Sequence, residues 1–140
     1  MYFLDTNIFL RHLTQDDSRK AADCTRLFSE IEQGRLQAWT SDLAIAELVF
    51  VLASKRQNGY NYTREQIQDG LLPLIVLDGL YLPSKDLYPR IFSLYIQHQI
   101  DFIDAYHAAL IESSADPELY SYDRHFDRIS TIKREEPSQT

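Results

Sequence analysis

The sequence predicts an α/β fold in which a short parallel sheet is covered by helices. Three observations predict it. Short apolar runs suited to strands alternate with longer segments whose apolar residues recur at helical spacing. Two of the short runs end in an acid, Asp5 and Asp123, as expected of strands whose carboxyl ends face a ligand crevice. The 140 residues, 44% hydrophobic and 25% charged, suit one soluble domain with one core and contain no internal repeat.

The elements follow in order. Tyr2 to Leu4 is an apolar run and reads as the first strand. Thr6-Asn7 offers turn and cap chemistry before a helix through Ile8, Phe9 and Leu13. Asp16-Asp17-Ser18 opens a second helix, with acids at its positive end. Ala21, Cys24, Leu27, Phe28 and Ile31 continue it at helical spacing, and Gly34 stops it. Leu36 to Trp39 reads as a second strand, and Ser41 caps an apolar helix from Asp42 to about Ser54.

After a loop at Asn58-Gly59-Tyr60-Asn61, Thr63 with Gln66 three residues on resembles a capping box for a helix over Arg64 to Leu72. Ile75 to Leu82 holds strand-like residues interrupted by Asp78-Gly79. Ser84 to His98 reads as a helix capped by Ser84, and Asp101 caps another running to about Ser113. Asp116-Pro117 breaks the chain before a strand at Leu119 to Tyr122 that ends at Asp123. A turn at Phe126 to Ile129 and a last strand at Thr131 to Lys133 complete the pattern.

Bulk properties narrow the function. No window holds the roughly 18 apolar residues of a membrane span. The start Met1-Tyr2-Phe3-Leu4-Asp5 lacks the basic and long apolar regions of a secretory signal, so a cytoplasmic location is expected. Cys24 is the only cysteine, which removes disulfide and thiolate-metal chemistry. The net charge of −7 is opposite to the basic face of most nucleic-acid binders. Either nucleic acid is not the ligand, or some acids bind divalent cations that reverse the local field.

The positions of four acids bear on that choice. Asp5 and Asp123 sit at strand ends. Glu47 lies in Leu43-Ala44-Ile45-Ala46-Glu47-Leu48-Val49-Phe50-Val51-Leu52-Ala53, a window otherwise apolar. Burial on most sides is expected there, and an ionised Glu is then costly unless a cation or donor compensates it. The competing reading is a Glu on a narrow solvent stripe or paired with an Arg. Asp104 shares a helical face with Asp101, three residues earlier, near a helix N-terminus. Asp101 reads more simply as an N-cap, and Asp104 alone could be a first-turn acid stabilised by the helix dipole.

Convergent carboxylates do not all stay ionised without cations. Hard oxygen ligands without Cys favour Mg²⁺ or Mn²⁺ over Zn²⁺ and suit phosphoryl chemistry. His12, His98, His107 and His125 show no zinc or acid–base spacing, and His107 reads as a packed or capping residue. No Gly-rich phosphate loop and no Gly-x-Ser-x-Gly motif is present. A receiver domain would need an acidic pair after the first strand, and a haloacid-type phosphatase an Asp where Asn7 stands.

Phe3-Leu4-Asp5-Thr6-Asn7-Ile8 resembles the opening motif of PIN domains. Ala46-Glu47-Leu48-Val49 is similar to the family's helix glutamate segment, Asp101 to Ala109 to its third motif, and Ser121 to Asp127 to its fourth. Ile132-Lys133 and Pro137 resemble its closing strand. Tyr122 departs from the short residue usual before the last acid. The resemblance implies a PIN-like three-layer sandwich, one domain over residues 1–137, followed by a loose polar tail at 138–140. Size and tail look most like VapC-type toxins of toxin–antitoxin pairs.

The resemblance implies an RNase that needs Mg²⁺ or Mn²⁺, is usually a homodimer and is often inhibited by an antitoxin. By carry-over, Asp5, Glu47, Asp104 and Asp123 bind metal. Thr6 and Asn7 are expected to support Asp5, and Asp101 and Asp127 to support the other acids, although Asp127 reads more simply as a turn residue. Arg11, Lys55, Arg56, Arg124 and Arg128 are candidates for holding the RNA backbone, each with solvated surface charge as the competing reading. Tyr60 and Tyr62 could stack on bases. The rival in another class is a PIN-fold module that binds RNA or antitoxin without catalysis.

Overall fold

The structure is a computed structural model that describes residues 1–138; of the tail expected at 138–140, Gln139 and Thr140 lie outside the described residues. The chain forms two compact units, Met1–Asp86 and Leu87–Thr140.

In the first unit, strands β1 (Tyr2–Phe3), β2 (Ala38–Trp39) and β3 (Leu80–Tyr81) pair in parallel in the order β1-β2-β3. Parallel neighbours need long crossovers, and each crossover here is a helix pair. These pairs are α1 (Thr6–Thr14) with α2 (Ser18–Glu32), and α3 (Asp42–Ala53) with α4 (Arg64–Ile75). The regular pairing is short, but Leu4 N–H donates to the Trp39 carbonyl and Thr40 N–H to the Tyr81 carbonyl, at 2.8 and 2.9 Å. The hydroxyl of fully buried Thr40 donates to the Leu4 carbonyl at 2.8 Å, so this buried polar group is satisfied. Period-two alternation buries Ala38 and Leu80 while Phe3, Trp39 and Tyr81, in register across the three strands, stay partly exposed.

Several boundaries differ from those the sequence predicts. Asp5, rather than Thr6, caps α1, accepting from Thr6 N–H at 2.8 Å. α4 has the expected capping box but runs past Pro73 to Ile75. Pro73 lacks the N–H of a helical bond, yet Ile67, Leu71, Leu74 and Ile75 form one buried stripe that holds the turn. The helix expected from Ser84 is split into a 3-10 turn at Lys85–Leu87 and α5 (Tyr88–Gln97). Pro89 suits the first turn of α5, whose N-cap is Leu87, and the Ser84 hydroxyl donates to Asp42 at 3.0 Å. Gly34, with φ +76°, ends the α2 segment as its sequence signal implies.

Gly59 answers a close approach. A Cβ at this position would meet the Ser54 carbonyl oxygen at 2.1 Å. Gly59→Ala is therefore expected to destabilise the protein by about 1–3 kcal/mol, read from urea unfolding; an unchanged midpoint would contradict the approach.

In the second unit, α5 packs on α6 (Phe102–Glu112). Phe92 and Tyr88 of α5 are fully buried, and Phe92, Tyr95 and Phe102 form an aromatic cluster with ring centroids 5.7–6.5 Å apart. Ala105, Ala108 and Ala109 of α6 are buried, and their small side chains permit close helix approach. Arg90 of α5 donates from Nε and Nη2 to the two Glu112 oxygens, at 2.5 and 3.1 Å, and Thr131 adds a third donor at 2.6 Å. Strands β4 (Glu118–Tyr120) and β5 (Lys133–Glu135) pair in parallel around a 3-10 turn, Arg124–Arg128. β5 begins two residues later than predicted, because Lys133 pairs with Glu118 and its N–H donates to the Pro117 carbonyl. The α/β architecture that the sequence predicts, parallel strands flanked by helices, is the one observed.

Candidate active site

The first unit gathers Asp5 and Glu47 about one residue. Asp5 ends the β1 segment and accepts from the Thr6 backbone N–H. The Thr6 hydroxyl lies 3.2 Å from Glu47 Oε2 and 3.1 Å from the Ala44 carbonyl. A hydroxyl has one hydrogen, so it is shared between these two acceptors. Thr6 is only 5% exposed, so the arrangement is held from inside the fold. Asn7 next to it is exposed.

Glu47 itself is exposed, which corrects the expectation of a costly buried charge. The buried face of α3 consists of Ala44, Ile45, Leu48, Val49 and Leu52. Glu47 lies on the opposite face with Leu43, 82% exposed, and Phe50, 69% exposed. The apolar window misleads because two of its large side chains cover no core.

The second unit gathers Asp104 and Asp123. Both line a pocket of about 400 Å³ with His107, Leu110, Ile111, Leu119, Tyr120, Ser121 and Phe126. Burial pushes the Asp104 carboxyl above the ordinary carboxylate range, and the negative charges of Asp123 and then Asp101 push the same way. Asp123 caps the 3-10 turn: its Oδ1 accepts from His125 N–H at 2.9 Å and lies 3.0 Å from His125 Nδ1. Asp101 occupies the N-cap position of α6, as the simpler reading of it implies, but its side chain makes no cap hydrogen bond.

Two side chains here carry more than the sequence reading assigned them. His107 is exposed and lines the pocket with Asp104, rather than packing or capping. The available signal was its i,i+3 spacing from Asp104. His125 stands against Asp123, a contact visible only once the turn is formed.

The remaining candidates separate clearly. Arg11 is committed to Asp16, its Nη1 reaching both carboxylate oxygens at 2.8 and 2.9 Å. Tyr60 donates to the same carboxylate at 2.6 Å and meets Tyr62 edge to face, so this loop is tied to the connection between α1 and α2. Asp127 accepts from Arg134 at 2.8 and 3.2 Å and braces β5 against the turn. Arg128 donates to the His98 carbonyl. Lys55, Arg56 and Arg124 are exposed.

The Asp16 cluster predicts a pH dependence. Hydrogen bonds from Tyr60 and then Arg11 lower the Asp16 carboxyl from 3.8 to about 2. A lowered folded-state value means the unfolded chain binds the proton more readily. The stabilisation is therefore complete above 3.8 and is lost as pH falls through about 2. Asp16 is solvent-accessible, which limits the effect to about 0.2–1 kcal/mol. Asp16→Asn should lower the melting temperature slightly at pH 7 and by much less at pH 2; an equal deficit at both would contradict the ionic origin.

Among the described residues no three His, Cys, Asp or Glu side chains stand together to hold a metal ion. Each unit instead presents a carboxylate pair. Such oxygen donors fit a hard cation, since Mg²⁺ is commonly held by one or two carboxylates with water completing its shell. Among the described residues no helix is long and apolar enough to cross a membrane.

Comparison with curated proteins returns no match. The PIN domain family model matches residues 2–132, a span that includes Asp5, Glu47, Asp104 and Asp123 and runs through both units. The chain therefore belongs to the PIN domain family.

Proposed function

We propose that this protein is a divalent-metal-dependent endoribonuclease and the VapC-like toxin of a toxin–antitoxin pair. PIN domains are generally metal-dependent nucleases. The observation that carries the reading is the pairing of the motif acids, Asp5 with Glu47 about Thr6 and Asp104 with Asp123 in one pocket. In this reading the two units act as one PIN-like domain over residues 1–137, as the span of the family match supports.

Asp5, Glu47, Asp104 and Asp123 would hold Mg²⁺ or Mn²⁺, which when bound supplies an activated water and offsets charge on the scissile phosphate. Thr6 fixes the Glu47 carboxylate, and Asp5 is oriented by its cap hydrogen bond. Asn7 and Asp101 support these acids as polar neighbours. Lys55, Arg56 and Arg124 hold the RNA backbone from exposed positions, while Arg11 and Arg128 serve mainly intramolecular partners. The negative net charge suits a protein whose RNA contact depends on bound cations. A homodimer and an antitoxin complex are the assemblies we infer, because Leu43 and Phe50 leave large apolar side chains uncovered on α3. We infer a cytoplasmic location, where such an RNA substrate is met.

The test is cleavage of a mixed RNA pool with Mn²⁺ against the same pool with chelator. Cleavage confined to the Mn²⁺ arm, with 5′-phosphate products, is expected. The rival is a PIN-fold module that binds RNA or antitoxin without catalysis. That rival gives no cleavage and no Mg²⁺-dependent rise in melting temperature.

A further inference from the structure

We propose that the pocket beside Asp104 and Asp123 is a nucleobase subsite that takes an unpaired RNA base flanking the bond to be cut. The inference rests on the nuclease reading for its biological role, but the pocket chemistry stands by itself. Along α6, Asp104, His107, Leu110 and Ile111 fall on one stripe, so acid and apolar ends are separated by about 9 Å along the helix axis. Leu119, Tyr120 and Ser121, from β4 and the residue after it, also line the pocket, together with Phe126, which is 6% exposed.

This order of groups matches a nucleotide. A base has apolar faces and a polar edge, and Leu110, Ile111, Leu119 and the ring of Tyr120 offer apolar contact. His107 and Ser121 offer donor and acceptor atoms to the edge. The volume of about 400 Å³ lies in the range of small-ligand sites, roughly 300–1,000 Å³. The acidic end repels phosphate unless a cation sits there, which directs the base, not the phosphate, into the apolar end. Bases in an RNA duplex are stacked and paired, so such a pocket selects loops, bulges and single strands.

Uncharged nucleosides separate the subsite from metal binding and catalysis. Adenosine, guanosine, cytidine and uridine are titrated without metal into the full chain, and backbone amide shifts are read by NMR. The expected result is saturable shifts centred on Leu110, Leu119 and Ser121, with dissociation constants on the order of millimolar and a preference among the four. Leu110→Trp, at a position already 37% exposed, should fold and weaken binding by about ten-fold or more. His107→Ala should change the order of preference. Absence of saturable shifts at these residues, or shifts undiminished in a folded Leu110→Trp protein, overturns the subsite. Failure of Mn²⁺-dependent RNA cleavage would overturn the nuclease reading separately and would leave the nucleoside result standing.

Discussion

Asp5→Asn is expected to lower Mn²⁺-dependent RNA cleavage by on the order of 100-fold or more while leaving the fold intact. Two functions coincide at this residue, and the substitution separates them. As an N-cap, Asp5 needs only an oxygen that accepts from Thr6 N–H. Asn supplies that oxygen about as well, so stability should change by less than about 1 kcal/mol, mainly through the lost charge at the helix N-terminus. As a cation ligand, Asp5 needs its negative charge, which Asn lacks. Cleavage rates and melting temperatures measured side by side decide the matter. A variant with the wild-type rate would remove Asp5 from the site. A variant that lost rate and stability together would show that the capping role was underestimated.

Phe92→Ala is expected to destabilise the protein by about 3–5 kcal/mol. Phe92 is fully buried, and its ring meets those of Tyr88, Tyr95 and Phe102 at 6.4, 6.5 and 5.7 Å. Truncation removes apolar burial and the ring contacts together, and it leaves a void that two packed helices can close only in part. Phe50→Ala is the matched control, since Phe50 is 69% exposed and its loss should change stability by about 0.5 kcal/mol or less. Urea unfolding of both variants checks the contrast. Equal midpoints would mean that the α5–α6 core is not packed as described.

The two phenylalanines also mark the boundary between what local sequence determined and what only tertiary structure decided. Strand and helix order were legible because periodicity and caps are local. Ser41, Thr63 with Gln66, and Asp17 act within three residues of where they stand. Asp5 at a segment end was legible for the same reason, whereas β4 ends at Tyr120 and leaves Asp123 as the cap of the 3-10 turn instead. Family membership was legible because motif residues keep their order along the chain.

Burial was not legible, because it depends on what a face packs against. Phe50 and Leu43 look like core in an apolar window, yet they point away from the core with Glu47, and that reverses the cost once expected for its charge. Asp127 and Arg11 looked available until the fold supplied Arg134 and Asp16 as partners. His107 looked inert until the chain returning through Leu119 to Ser121 completed a pocket around it. Local hydrogen bonds and helical spacing are properties of a few consecutive residues, so the sequence determined them alone. Exposure, pairing and cavities belong to segments tens of residues apart, so only the folded chain decided them.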